Sequence, residues 1–146
     1  MTIKDVYYSL IQEYGTTNPF TIARQLGITV LFNGLGTNNG LYHTLEICNK
    51  TYHYIHINNN LSDEDKRYTM AHELGHFILH KGSNLHFLRR ISRVPLSRQE
   101  IEADLFASYF IISDEEIKEI NNISHISESF KLDYRICEER IKYLDS

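Results

Sequence analysis

The stretch "TMAHELGHFILH", Thr69 to His80, constrains this chain more than any other. It sets two histidines four residues apart with a glutamate directly after the first, and Met70, Leu74, Phe77 and Ile78 recur around them at helical spacing. An α-helix turns about 100° per residue, so His72 and His76 lie roughly 40° apart on one face, with Cβ atoms ~6 Å apart. Two imidazole nitrogens so placed reach one ion at ~2.1 Å each. Glu73 projects beside them but off the direct line to the ion. There it can take a proton from a water that zinc has acidified to a pKa of ~7. A polar helix face that merely carries histidines accounts for the same three residues, and the pattern alone does not choose.

The helix around the motif has clear ends. Ser62 is an N-cap, Asp63, Glu64 and Asp65 put negative charge in the first turn, Lys81 sits in the last turn and Gly82 follows. A helix over 63–81 is expected. Gly75 inside it costs about 1 kcal/mol relative to alanine, which is either simply tolerated or, the more useful reading, reflects close approach of a neighbouring element. His80 continues the i+4 series but lies eight residues beyond His72, more than two turns away. It reads as a dipole-stabilised or hydrogen-bonding histidine rather than a ligand.

A third ligand is available in "PLSRQEIEADLFASYFI", the next long helical pattern. Glu100 and Asp104 share one face at i,i+4, while Glu102 points roughly 200° away from Glu100. His72, His76 and Glu100 would leave a fourth position open for water or substrate. Asp104 could accept from the far nitrogen of a ligating histidine and set its tautomer. The competing reading makes "SRQE" a capping box, with Ser97 as N-cap and Glu100 bonding back to it. That explains Glu100 but not Asp104, and it leaves the histidines short of a ligand, so the metal role is favoured.

The rest of the chain supplies a scaffold. Residues 3–14 are amphipathic and end at Gly15; Asn18 and Pro19 open a second helix that Gly27 stops. "TVLF" reads as a short strand, "NGLGTNNG" as turn material, and "LYHTLEI" and "YHYIHI" as two strands joined by "CNK". The expectation is an α+β fold: N-terminal helices, a small antiparallel sheet, the HExxH helix and the Glu100 helix. Residues 1–146 form one domain, with a core at about 18–115 and a helical tail at about 116–146. Its 146 residues suffice to bury a core, and 42% hydrophobic with 23% charged residues is a soluble composition.

No apolar run approaches the ~20 residues of a membrane span, and "MTIKDVYYSL" has no signal-peptide character. Cys48 and Cys137 fall in no paired pattern and read as free thiols, which together with the N-terminus predicts a cytoplasmic protein. A net charge of -4 argues against a general affinity for nucleic acid. The helix–break–helix pattern in "ISHISESFKLDYRICEERIKYL" is too mixed in charge for a phosphate-binding surface and reads as packing helices, so no direct DNA binding is expected. No acidic residue falls between Glu73 and Glu100, whereas Lys81, Arg89, Arg90, Arg93 and Arg98 do. That segment is either a solvated loop or a partner-facing patch.

Three segments together resemble the ImmA/IrrE family of HExxH metallopeptidases: "GLYHTLEICNKTYHYIHINNNLS", "AHELGHFILH" and "EIEADLFASYFI", in that order and preceded by "NPFTIARQLGITV". The likeness covers about 18–115. It implies a minimal zincin-like fold, His72, His76 and Glu100 as metal ligands, Glu73 as the catalytic glutamate, and zinc as the metal, although manganese or iron suits the same ligands. It further implies an intracellular endopeptidase that cleaves a helix-turn-helix repressor of a mobile element or stress regulon. A non-catalytic antirepressor using the metal for stability, or an auxiliary subunit of a toxin–antitoxin pair, are the rival readings. The family helix usually ends in Leu-Leu-Met-Pro, where this chain has "FIISDEE" with Ser113 able to cap the next helix. Such chemistry also needs a donor to the oxyanion, for which Tyr42, His43, His86 and Tyr109 are the candidates.

Overall fold

A computed structural model describes residues 2–80 and 96–144. Helix α1 (Ile3–Tyr14) opens on a reciprocal capping box between Thr2 and Asp5 and ends at Gly15 in the left-handed region. Asn18 accepts from the amides of Phe20 and Thr21 and so opens α2 (Pro19–Gln25). Strands β1 (Ile28–Asn33), β2 (Gly40–Ile47) and β3 (Lys50–Asn58) follow, then helices α3 (Asp63–Leu79), α4 (Leu96–Ile111), α5 (Asp114–Ile120), α6 (Ile123–Phe130) and α7 (Tyr134–Lys142). Cys48 and Asn49 both take positive φ, 52° and 66°, and make the tight turn between β2 and β3. Ser62 caps α3 by accepting from the Asp65 amide, and Ser113 caps α5 in a reciprocal box with Glu116. Helix α3 ends at Leu79 with His80 as its C-cap, two residues short of the expected end at Lys81; Lys81 and Gly82 themselves lie outside the described residues. Helix α4 already begins at Leu96, so Ser97 is not the residue that opens it. Among the described residues no helix is long and apolar enough to cross a membrane.

The fold is α+β as expected, but the sheet is mixed rather than antiparallel. Strand order is β1–β3–β2, with β1 parallel to β3 and β2 antiparallel to it. Residues 34–39 therefore step across the end of β3 instead of turning back beside β1. Six extended residues reach ~20 Å, ample for the ~10 Å between next-nearest strands, so chain length permits either path. Asn58 holds the crossing. Buried at the end of β3, it donates Nδ2–H to Gly36 O at 3.0 Å and to Asn38 O at 2.8 Å, and its amide donates to Asn39 O at 2.8 Å.

One face of the sheet, with Tyr42, Ile55 and Ile57, joins the main core with Met70, Leu74 and Phe77 of α3. Phe106, Ala107 and Phe110 of α4 enter the same core. Helix α3 is thus enclosed by sheet and helix, and the glycine within it makes that possible. A Cβ on Gly75 would meet Phe106 Cδ1 at 3.0 Å and the Ala103 Cα at 3.3 Å. Gly75→Ala should destabilise by up to about 2 kcal/mol, the ~1–3 kcal/mol of overpacking less the ~1 kcal/mol that alanine returns in helix propensity. Urea unfolding of the two proteins measures this, and an unchanged midpoint would mean that α4 yields at no cost.

The C-terminal helices build a second cluster from Ile112, Ile117, Ile126, Leu132 and Cys137. Arg140 of α7, only 1% exposed, ties that region to α4. It donates to Ser108 Oγ at 3.1 Å, Ile112 O at 2.8 Å and Asp114 Oδ1 at 3.0 Å, and its guanidinium lies over the Tyr109 ring.

Candidate metal centre

Helices α3 and α4 pack side by side and face each other with opposite equipment. From α3 come two imidazoles one turn apart, their rings edge-on with centroids 4.7 Å apart. From α4 comes Glu100. His72 Nε2 and His76 Nε2 are 3.2 Å apart; Glu100 Oε2 lies 3.1 Å from the first and Glu100 Oε1 2.9 Å from the second. One ligand atom from each of the three residues lies within 4.8 Å of the other two. Neighbouring donors around a tetrahedral ion at ~2.1 Å are roughly 3.4 Å apart, so small side-chain adjustments suffice to admit one. The donor set, two neutral nitrogens and a carboxylate, is that of an open zinc site.

Electrostatics point the same way. Burial opposes a charge on His72, but hydrogen bonds to Asp104 and Glu100 and the fields of Glu73 and Asp104 more than offset it, holding the imidazole up at about 10. Hydrogen bonds from His72 and His76 hold the Glu100 carboxyl far below its usual range, against the effect of burial. Such a cluster is built to hold positive charge, and a divalent cation meets the same demand as a proton.

Further hydrogen bonds hold the imidazoles from behind. His72 Nδ1 donates to Asp104 Oδ1 at 2.7 Å, and the Tyr68 hydroxyl donates to the same oxygen at 2.9 Å. Burial, followed by the neighbouring Asp104, pushes the Tyr68 phenol well above its ordinary pKa and keeps it a donor. At His76 the far nitrogen faces His80, with Nδ1 to Nδ1 at 3.2 Å, and His80 Nε2 lies 3.1 Å from Glu102 Oε1.

Glu73 is buried and stands outside the three-residue cluster. It lies beneath the start of β2. A Cβ on Gly40 would come within 2.7 Å of Thr69 Cγ2, 3.2 Å of Glu73 Cγ and 3.3 Å of Glu73 Oε1. Only a residue without a side chain lets the strand pass this close to the carboxylate. Strand β2 is an edge of the three-stranded sheet. The amide of Asn58 donates to Asn39 O, which makes 39 and 58 a hydrogen-bonded pair. By alternation, the backbone groups of Gly40, Tyr42, Thr44 and Glu46 point outward from β3.

A family model for the IrrE N-terminal-like domain, peptidase family M78, matches residues 23–142. The chain belongs to this family. It is 39% identical to Metallopeptidase ImmA of Bacillus subtilis (strain 168) over 118 residues, which span 80% of this chain and 67% of ImmA. It is 30% identical over 120 residues to a protein of Bacillus phage phi105 named "Uncharacterized immunity region protein 2", spanning 82% of this chain and 74% of the phage protein.

For an M78 peptidase the oxyanion donor is a natural question, and the four residues singled out from sequence fare differently. His43 lies on the sheet face away from α3, stacked between Tyr54 and His56, so strand alternation removes it from the Glu73 side. Tyr109 sits well along α4, its ring stacked on Tyr7 and capped by Arg140, where burial raises the phenol to about 12. Tyr42 does face α3, packed on Phe77, but its hydroxyl is 2.7 Å from His53 Nδ1. His86 lies outside the described residues, as do Arg89, Arg90 and Arg93 of the basic segment. Arg98 is described and stands 3.9 Å from Glu102. Sequence reading missed Tyr68, Gly40 and the contact between His80 and Glu102. Gly40 and Tyr42 do fall in the "GLY" segment of the family resemblance, the one available signal.

Proposed function

We propose that this M78-family protein is a zinc-dependent endopeptidase acting inside the cell on one protein, a helix-turn-helix transcriptional repressor, whose cleavage relieves repression. The observation that carries the reading is the convergence of His72, His76 and Glu100 with Glu73 set apart beside β2, an edge strand among the described residues. The phi105 relative is named for an immunity region, which supports a repressor as the target.

His72, His76 and Glu100 would hold the ion, with Asp104 orienting His72. When bound, zinc supplies Lewis-acid polarisation of the scissile carbonyl and acidifies water. Glu73 accepts the proton of the attacking water and returns it to the leaving amine nitrogen, so that water adds across the C–N bond with no net proton change. Manganese or iron would satisfy the same ligands.

The purified protein, loaded with zinc, should cut its helix-turn-helix repressor at one site, and a chelator should stop it. An intact repressor in the presence of protein that demonstrably holds its metal would refute the reading. Substrate is proposed to add to β2 as a further strand, since β2 is an edge strand among the described residues and the backbone groups of Thr44 and Glu46 point outward from β3. Thr44→Pro deletes one outward amide at a position where an edge strand tolerates proline. It should slow cleavage by about 3- to 10-fold, the worth of one hydrogen bond, without releasing zinc. Unchanged cleavage would rule out strand addition at that position.

A further inference from the structure

The two imidazoles of the centre are held from behind in different ways. His72 Nδ1 meets the Asp104 carboxylate directly at 2.7 Å. His76 Nδ1 meets another imidazole, His80, at 3.2 Å, and that imidazole meets Glu102 at 3.1 Å. His76 and His80 are 2% and 7% exposed, so their ring nitrogens must be satisfied within the protein.

The order of protons along this chain follows from the groups in it. An ionised carboxylate only accepts, so the contact at Glu102 places the His80 proton on Nε2. A neutral His80 then has a lone pair at Nδ1, which accepts from His76 Nδ1–H. Once a cation takes the place of the proton between His76 Nε2 and Glu100 Oε1, His76 presents a bare Nε2 to it. The opposite tautomer of His80 would aim Nδ1–H at His76, force the His76 proton onto Nε2 and remove that nitrogen from the donor set.

We propose that His80 and Glu102 are positioning residues for the metal centre: Glu102, acting through His80, holds His76 in the one tautomer that can bind a metal. This rests on the reading of His76 Nε2 as a metal donor. It gives a part to Glu102, which helical geometry alone directs away from Glu100 and leaves without one. Helix α4 passes α3 closely enough that its Glu100 and Asp104 side serves the front of the centre and the back of His72. Glu102, two residues on and directed roughly 200° away from Glu100, reaches the back of His76 through an intervening ring. Arg98, one turn earlier on α4, stands 3.9 Å from the second Glu102 oxygen.

The test is zinc affinity of the full chain, measured by competition with a chromophoric chelator, together with the visible spectrum of the cobalt(II)-loaded protein. His80→Ala should weaken zinc binding about 10- to 100-fold, as loss of a group behind a ligating histidine does. His80→Asn should recover most of it, because the asparagine Oδ1 stands near the position of the histidine Nδ1 and can accept from His76. Glu102→Ala should weaken binding about 3- to 10-fold in the wild-type background and have no effect in the His80→Asn background, where the link to Glu102 is already cut. The cobalt spectrum should shift in His80→Ala and return towards wild type in His80→Asn. Equal weakening by alanine and asparagine would reduce His80 to packing and overturn the proposal. So would a Glu102→Ala protein with wild-type affinity, a measurement that stands even if His80→Ala fails to fold. If wild type takes up no zinc at all, the metal reading falls and this inference with it, whereas zinc uptake indifferent to both residues overturns this inference alone.

Discussion

Glu73→Gln is expected to fold, to retain about one equivalent of zinc and to lose cleavage by about 10²- to 10⁴-fold, the usual contribution of a positioned general base. The amide is nearly isosteric with the carboxylate, so the tight passage of Gly40 over it survives. It cannot accept the proton of the attacking water, and it cannot hand one to the leaving amine. The metal should stay, because Glu73 is not one of the three clustered donors. Three measurements on one sample decide: metal content, far-UV circular dichroism and repressor cleavage. A cell-based assay adds a fourth. If Glu73→Gln still relieves repression fully, the protein works by binding its partner, and the antirepressor reading replaces the enzymatic one.

The second large effect concerns the metal itself. Wild type should purify with about one equivalent of zinc, and the double replacement of His72 and His76 by alanine should lose essentially all of it. Glu100→Ala should weaken binding sharply, since it removes the one acidic donor and leaves two imidazoles. Asp104→Ala should fall between, at about 10- to 100-fold, because it acts on His72 from behind. Elemental analysis and chelator competition read all of these on a common scale. Full retention of zinc by the double histidine variant would place the metal elsewhere.

Local signals in this chain were readable because their physics is local. Asn18, Ser62 and Ser113 each cap a helix through an atom two or three residues from the amide it satisfies. The helical rotation that puts His72 and His76 on one face is likewise a property of a single element. The same rule put Glu100 and Asp104 on a common face, and the structure brings the pair to the two imidazoles. Gly75 announced a close neighbour without naming it, since the energetic penalty of glycine in a helix is intrinsic while the partner is not.

What the sequence could not decide is everything that depends on how elements pass one another. A six-residue connection is compatible with turning back beside β1 or with stepping over β3, and long-range hydrogen bonds of Asn58 select the second. Alternation showed that Tyr42 and His43 face opposite sides, but only the packed sheet shows that α3 lies on the side of Tyr42. Tyr109 looked available as an aromatic hydroxyl until Arg140, 31 residues later, was found over its ring. Glu102 is directed away from Glu100 by helix geometry, and only the crossing of α3 and α4 brings it to His80. The sequence by itself determined the caps at Asn18, Ser62 and Ser113, the spacing of His72 and His76, and the common face of Glu100 and Asp104. The tertiary structure decided the strand order, the face of the sheet that meets the site and the groups standing behind each histidine, because those rest on contacts between residues far apart in the chain, whose energies no local pattern encodes.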